Sequence, residues 1–173
     1  MIIPIRAEHR QELVGMMREI EEYDLADLRL MRILSDNRNS YAGSFFSTSL
    51  STMSTTKKFL SEILDSNSKS LFLIFSLENG YDQPILFGHI GYEIVDSETI
   101  EVTNVMKIPG MELRMTAPLK AFIEFLIKAH PTKRLFLRVL KDNIRAVSLY
   151  TKCGFSKVVG EYGSNRIRME LNL

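Results

Sequence analysis

Apolar residues along the chain follow two spacings, one typical of strands and one typical of helices. Residues 1–6 suit a short strand, and Pro4 favours an edge position in a sheet. Apolar residues then recur at the spacing of one helical face, at Leu13, Met16, Met17 and Ile20. This spacing predicts a helix that begins near Glu8. The polar stretch over residues 35–55 has no sustained period and predicts a long loop, either a cover over a site or a variable surface excursion.

A second amphipathic helix and three strands are predicted after this loop. Ser54 or Thr55 can cap the helix. Its apolar stripe consists of Phe59, Leu60, Ile63 and Leu64. Strand-like runs follow over residues 71–77, 85–95 and 99–108, and the short connections between them predict an antiparallel meander.

The C-terminal part returns to an alternation of helix and strand. Residues 116–129 predict a helix with Thr116 as its cap and Pro118 in its first turn. A strand over residues 134–140 follows, and a strand–helix–strand step implies a parallel strand pair. A further helix and a final hairpin complete the chain. We therefore expect one mixed α/β domain over residues 1–173, with a mostly antiparallel sheet.

Composition narrows the classes of function. The chain has 173 residues, 45% of them hydrophobic, and a formal net charge of +1, so neither nucleic-acid nor membrane-surface binding is expected. No apolar run approaches the roughly 20 residues that cross a bilayer, and the first residues do not form a signal-peptide pattern. Cys153 is the single cysteine, which we expect to be a buried thiol in a reducing compartment, the cytoplasm.

The segment "DNIRAVSLYTKCGF" combines a folding pattern with two residues that folding does not require. Asn143 can start a helix, and Gly154 can end it in the left-handed conformation, with Phe155 folding back as an apolar contact. The face toward the sheet consists of Ala146, Leu149 and Cys153. The pairing of Asn143 with Tyr150 remains to be explained by chemistry.

This strand–helix segment resembles the GNAT superfamily of acetyl-CoA-dependent N-acetyltransferases. The matching positions of the pattern N-x-x-A-x-x-L-Y-x-x-x-G-F are Asn143, Ala146, Leu149, Tyr150, Gly154 and Phe155. The resemblance extends from Leu71 to the end, and more loosely over the N-terminal helices. It implies a GNAT-like acyl-CoA N-acyltransferase fold, with helices on both faces of the sheet and a parallel strand pair at the cofactor cleft.

The resemblance also implies roles for particular residues. Asn143 would contact the pantetheine or phosphate arm of acetyl-CoA, and Tyr150 would protonate the leaving thiolate. Backbone N–H groups on the strand before the crossover helix would hold the thioester carbonyl oxygen. The remaining cofactor contacts would come from that strand and the loop after it, at Val105, Met106, Lys107, Gly110, Arg114, Met115 and Thr116.

The phosphate loop departs from the family pattern Gln/Arg-x-x-Gly-x-Gly/Ala. Lys107 and Gly110 fit the first and fourth positions, but Glu112 replaces a small residue. Either the loop is longer, with Arg114 and the amides near Thr116 holding the phosphates, or the protein is a non-catalytic binding module. The alternative interpretation of Arg114 is an exposed cation on a loop, without a role in phosphate binding.

The general base and the acceptor are less well specified. Glu101 is the first candidate for the base, with Glu93 and His89 as alternatives. Arg38 and the loop that follows it would line the acceptor side. The N-terminal layout is similar to that of enzymes acting on amino-sugar nucleotides, while protein amines are the runner-up. A near-neutral charge argues against polycationic acceptors, and a homodimer is one assembly that the resemblance allows.

Overall fold

The structure is a computed structural model that describes residues 1–7, 12–44, 49–77, 83–111, 114–158 and 165–171. Its strands are β1 (Ile2–Arg6), β2 (Leu13–Glu19), β3 (Lys69–Ser76), β4 (Ile85–Ile94), β5 (Thr99–Lys107), β6 (Arg134–Leu140), β7 (Phe155–Lys157) and β8 (Arg166–Leu171). Its α-helices are α1 (Leu28–Ser40), α2 (Met53–Leu64), α3 (Thr116–Ala129) and α4 (Ile144–Lys152). Two short 3₁₀ helices cover Glu22–Ala26 and Ala42–Ser44. Within the described ranges, no helix is long and apolar enough to cross a membrane.

The described strands form one mixed sheet in the order β1-β2-β3-β4-β5-β6-β8-β7. Its strand pairs are antiparallel except for β5 and β6, which run parallel on either side of the crossover helix α3. The antiparallel meander and the parallel pair predicted from the sequence are both confirmed.

Helices cover both faces of the sheet, as predicted. On β3, Phe72 and Ile74 belong to an apolar cluster with residues of α3 and α4. The intervening Leu71 and Leu73 belong to a second cluster with residues of α1 and α2. Because successive side chains on a strand point to opposite faces, the two clusters lie on opposite sides of the sheet.

Residues 13–19 form strand β2, so the helix predicted from Glu8 is wrong. Residues 8–11 lie outside the described residues, but β2 pairs with both β1 and β3. The helical spacing was misleading because the buried residues of β2 are Val14, Gly15 and Met17. A Cβ atom on Gly15 would lie 2.4 Å from the Phe75 carbonyl oxygen, so glycine allows the close strand approach.

The stretch predicted as a long loop is partly helical. Helix α1 continues to Ser40, and its cap is Asp27, whose side chain accepts from the N–H groups of Arg29 and Leu30. Thr52 caps α2 in place of the predicted Ser54 or Thr55. The prediction of Thr116 as the cap of α3 is wrong, because Thr116 is the first residue of the helix and Met115 before it makes no side-chain cap bond.

The parallel strands separate soon after they meet. Strands β5 and β6 pair over only three positions, ending at Glu101 opposite Phe136, while both strands continue beyond that point. The separation leaves an opening in the sheet that α4 and the loop before α3 border.

Candidate active site

The opening between β5 and β6 is the mouth of a cleft of about 730 Å³. Side chains from β5, β6, the loop before α3 and the first turns of α4 line it. On the other side of the cleft, Tyr41, Phe59 and Ile63 come from the segment of α1 and α2. The cleft therefore has one end near the N-termini of α3 and α4 and another near the N-terminal helices.

Asn143 lies at the start of α4 and lines the cleft. Its Oδ1 accepts a hydrogen bond from the Ala146 N–H at 3.2 Å, which confirms it as the helix cap. Because Oδ1 serves the cap, the Nδ2 donors are the groups left for a ligand. The predicted stop is also confirmed, since Gly154 has a φ of +96°. The capping role of Asn143 is therefore compatible with the predicted cofactor contact.

Tyr150 lies in the same cleft, buried to 8% exposure. Its ring packs edge-on against Phe155, with 6.3 Å between centroids. Burial, together with the nearby Cys153, raises the pKa of the Tyr150 phenol above its ordinary value. The phenol is therefore protonated at neutral pH and can act as a proton donor, but not as a base.

Two cations lie at the end of the cleft that borders the helix N-termini. Lys107 lines the cleft, and its Nζ lies 5.5 Å from the centroid of the Phe87 ring. Arg145, in the first turn of α4, is the second cation. Gly110, on the loop before α3, also lines the cleft and has a φ of +81°, a conformation that favours glycine. This end of the cleft is electropositive.

The predicted loop residues divide into two groups. Val105, Met106, Lys107, Gly110 and Met115 line the cleft. Arg114 is exposed and, like Thr116, is not a lining residue of this cleft. The Thr116 carbonyl instead accepts a long contact from the Cys153 thiol at 3.9 Å. Glu112 and the neighbouring Leu113 lie outside the described residues.

Glu101 lies on the cleft wall, bound to Arg138. Its carboxylate accepts from Arg138 Nε at 2.8 Å and from Arg138 Nη2 at 2.6 Å. Glu101 is only 5% exposed, whereas the Arg138 side chain is about half exposed. The bidentate geometry fixes the carboxylate in one orientation beside the point where β5 and β6 separate.

A second ion pair continues this row of charges across the sheet. Glu93 lies directly opposite Glu101 on the neighbouring strand, and Lys69 Nζ lies 3.6 Å from Glu93 Oε1. Both side chains of the second pair are partly exposed, and all four residues of the row line the cleft. This end of the cleft therefore carries two carboxylates and two cations.

His89 lies behind the cleft and does not line it. It is 6% exposed, and burial lowers its pKa to about 4. The ring is therefore neutral at physiological pH. A neutral histidine outside the cleft cannot contact an acceptor directly.

Sequence reasoning missed several cleft residues. The sequence pattern does not indicate a functional role for Arg138 or Arg145, because an isolated arginine on a strand or in a first helical turn is common. Phe59 was assigned to the core stripe of α2, but it is 38% exposed and lines the cleft. Arg38, expected on the acceptor side, is a partly buried residue of α1 and is not among the residues that line the cleft.

Comparison with known proteins adds a fold assignment. No protein-family model matches the sequence, and no curated protein is significantly similar to it. Among solved structures, the chain is similar to RimL, a ribosomal L7/L12 alpha-N-protein acetyltransferase in complex with coenzyme A. The TM-score is 0.73 at 13% identity, with 98% of this chain and 96% of that chain covered.

Two further structures are similar over most of their length. FdhC, a nucleotide-linked sugar GNAT, matches with a TM-score of 0.68 at 13% identity, covering 97% of this chain and 89% of that chain. Spermidine N-acetyltransferase from Vibrio cholerae, in complex with CoA and spermine, matches with a TM-score of 0.66 at 14% identity, covering 89% and 91%. The chain therefore has the fold of the GNAT N-acetyltransferases, as its sequence predicted.

Proposed function

We propose that this protein is an acetyl-CoA-dependent N-acetyltransferase that acts on the primary amine of a small molecule. The observation that carries the proposal is the separation of β5 from β6 at a cleft that also contains Asn143 and Tyr150. Both residues belong to the GNAT-like pattern of the sequence. The three solved structures of the same fold are all named for acetyl transfer or for the GNAT group.

The residues around the opening suit acetyl-CoA. Beyond Glu101, β5 has no strand pairing on its β6 side, so its backbone can bond an extended pantetheine arm there. Lys107 and Arg145 supply positive charge for the phosphates. Helix α3 starts beside the cleft without a side-chain cap, and the amides of an uncapped helix start favour an anion.

Three groups of the protein can assist the reaction: the backbone of β5, the Tyr150 phenol and the Glu101 carboxylate. Acetyl-CoA supplies an activated acetyl thioester. The N–H group of Val105 would bind the thioester carbonyl oxygen as negative charge develops on it. The Tyr150 phenol would give its proton to the departing sulfur.

Glu101 is the proposed base for the attacking amine. Arg138 occupies one position on each of its carboxylate oxygens, and each oxygen has a second lone pair that can take a proton, directly or through water. Arg138 would keep that carboxylate oriented. Glu93 is the alternative base, because Lys69 binds it at a longer distance and it is more exposed.

The charges at the acceptor end of the cleft do not favour a polycationic acceptor. Lys69 and Arg138 balance Glu93 and Glu101, so this end has no excess of acidic residues to attract a polyamine. An amino-sugar nucleotide combines an amine with phosphates and is the acceptor class that we propose first. A protein amine is the second candidate, supported by the similarity to RimL.

The expected compartment is the reducing cytoplasm, supported by the buried thiol of Cys153, which is not part of a disulfide. A homodimer is the expected alternative to a monomer. Light scattering coupled to gel filtration would measure the assembly.

The proposal is tested by binding first and turnover second. Millimolar acetyl-CoA should raise the melting temperature, and an Arg145→Glu variant should lose most of that increase. The control Arg32→Glu changes an exposed cation of α1 that does not line the cleft, so it should respond like the wild type. Free-thiol release is then measured with an amino-sugar nucleotide, a peptide and a polyamine. The absence of any stabilisation by acetyl-CoA would refute the proposal.

A further inference from the structure

Strand β5 contains a bulge in the part that borders the cleft. Its pairing with β4 runs from Lys107 opposite Gly88 to Met106 opposite His89, and resumes only at Thr103 opposite Gly91. Two residues of β5, Asn104 and Val105, therefore face a single residue of β4. Asn104 has a φ of 52°, in the left-handed region that few residues other than glycine adopt.

The side chain of His89 is hydrogen-bonded to this bulge. One ring nitrogen bonds the backbone of Asn104, while the buried Nδ1 has no partner among the described residues. The bonding nitrogen is therefore Nε2. Because the bond to Asn104 favours the protonated form of the ring, Nε2 carries the hydrogen and the Asn104 carbonyl accepts it.

Packing alone does not explain a histidine at this position. Its register neighbours on the two adjacent strands are Leu73 and Met106, and Nδ1 remains unsatisfied between them. A leucine would fill a similar volume without leaving a polar atom unpaired. The buried, unpaired ring nitrogen therefore lies beside the bulge, and unpaired buried groups of this kind call for an explanation in function or strain.

The bond to Asn104 has a geometric consequence for the next residue. The Asn104 carbonyl and the Val105 N–H belong to one planar peptide unit and point in opposite directions. Fixing the carbonyl toward His89 therefore directs the Val105 N–H away from His89. Val105 is a lining residue of the cleft.

We propose that His89 is a positioning residue for acetyl transfer, whose Nε2–H holds the Asn104–Val105 peptide so that the Val105 N–H can bind the thioester carbonyl oxygen. This inference rests on the proposed function. His89 itself does not touch either substrate. It acts through the bulge of β5.

Two substitutions separate this role from a structural one. In His89→Leu the donor is lost, and kcat should fall by roughly ten- to a hundredfold, the effect of misplacing a reacting group by about 1 Å. In His89→Gln the amide nitrogen can reach the same carbonyl, and kcat should recover to within about threefold of the wild type, since the donor is restored. Leu73→Val is the matched control, a buried change beside His89 on β3 that should lower the melting temperature with kcat unchanged.

A measurement on the folded wild type keeps the test independent of activity. Nitrogen-15 spectra of the His89 ring should show the hydrogen on Nε2, and His89→Leu should shift the amide signal of Val105 more than Leu73→Val does. If wild-type protein is inactive with every acceptor, the proposed function fails, while these spectra still decide whether His89 holds the Asn104–Val105 peptide. A hydrogen on Nδ1, or an active His89→Leu variant with wild-type kcat, would overturn the inference.

Discussion

Acidification from pH 7 to pH 5 should weaken the fold through the buried ring of His89. In the folded chain burial lowers the pKa of His89 to about 4, against an ordinary value of 6.5 for a solvated ring. Between these two values the unfolded chain binds a proton that the folded chain does not. The stability that the neutral ring contributes is therefore complete above this window. It decreases as the pH falls through the window and does not decrease further below it.

The size of the effect follows from the two pKa values. Each unit of difference corresponds to 1.36 kcal/mol, so the full window from 6.5 to about 4 is worth about 3 kcal/mol of the free energy of unfolding. Between pH 7 and pH 5 the loss should be about 2 kcal/mol. That is a large fraction of the stability of an ordinary domain.

Urea denaturation at several pH values would measure this loss. The wild type is compared with His89→Gln, which has no titrating group at this position. The buried or hydrogen-bonded carboxylates, such as Asp24 and Asp96, contribute equally to both proteins and cancel in the difference. We expect the stability of the wild type relative to this variant to decrease by about 2 kcal/mol between pH 7 and pH 5.

Parallel pH profiles for the two proteins would refute the reasoning. They would mean that the folded ring titrates like a solvated one, so that it is neither buried nor held neutral beside Asn104. Leu73→Val is the control for destabilisation alone. It should lower stability by the same amount at every pH.

Three further predictions concern the site and the N-terminal part of the fold. Tyr150→Phe should lower kcat by roughly ten- to ten-thousand-fold, the range for a lost general acid, with the affinity for acetyl-CoA unchanged in calorimetry. A wild-type rate would remove Tyr150 from the mechanism. Glu101→Gln should lower kcat by about a hundredfold or more at neutral pH while acetyl-CoA still binds, and equal activity would transfer the base role to Glu93. Asp24 is buried and ion-paired with Arg18 at 2.6 Å. Burial raises the pKa of the Asp24 carboxyl, but the hydrogen bonds from Arg18 and the Glu21 N–H outweigh burial, so that this pKa is lowered overall. Asp24→Asn should therefore cost about 3 kcal/mol at neutral pH in urea denaturation, and a cost that stays the same below the ordinary pKa of aspartate would contradict this assignment.

The C-terminal half of the fold could be predicted because its local signals agree with its tertiary contacts. The run over residues 134–140 is a buried strand, Asn143 caps the helix, and Gly154 ends it in the left-handed conformation. Each of these signals depends on neighbours in sequence. The helix that carries Asn143 and Tyr150 could therefore be predicted together with the motif.

The N-terminal half could not be predicted as well, because tertiary contacts override its local pattern. The apolar residues of β2 satisfy both a helical and a strand period, and its pairing with β1 and β3 decides between them. The end of α1 looked like a loop because it buries the polar residues Ser35 and Asn37. Burial of polar residues is not visible in a sequence pattern.

The cleft could be predicted only in part for a similar reason. Asn143, Tyr150 and Glu101 lie in the cleft as expected, but the partner of Glu101 is Arg138, 37 residues away in sequence. The bulge at Asn104 is hydrogen-bonded to a side chain from the neighbouring strand. Contacts of this kind between distant segments leave no periodic signal.

The three-residue contact between β5 and β6 also has a mechanical consequence. It divides the described sheet into a five-stranded block, β1 to β5, and a three-stranded block of β6, β8 and β7. Apart from the terminal pair of β7 and β8, which also covers three positions, the shortest pairing in the described sheet lies at the cleft, and a pull that separates the two blocks should open the protein there. Acetyl-CoA bound in the cleft would bond both blocks and act as a cross-link between them. It should slow amide hydrogen exchange in β6 and β8 more than in β2, so occupancy of the cleft would set the mechanical strength of the whole sheet.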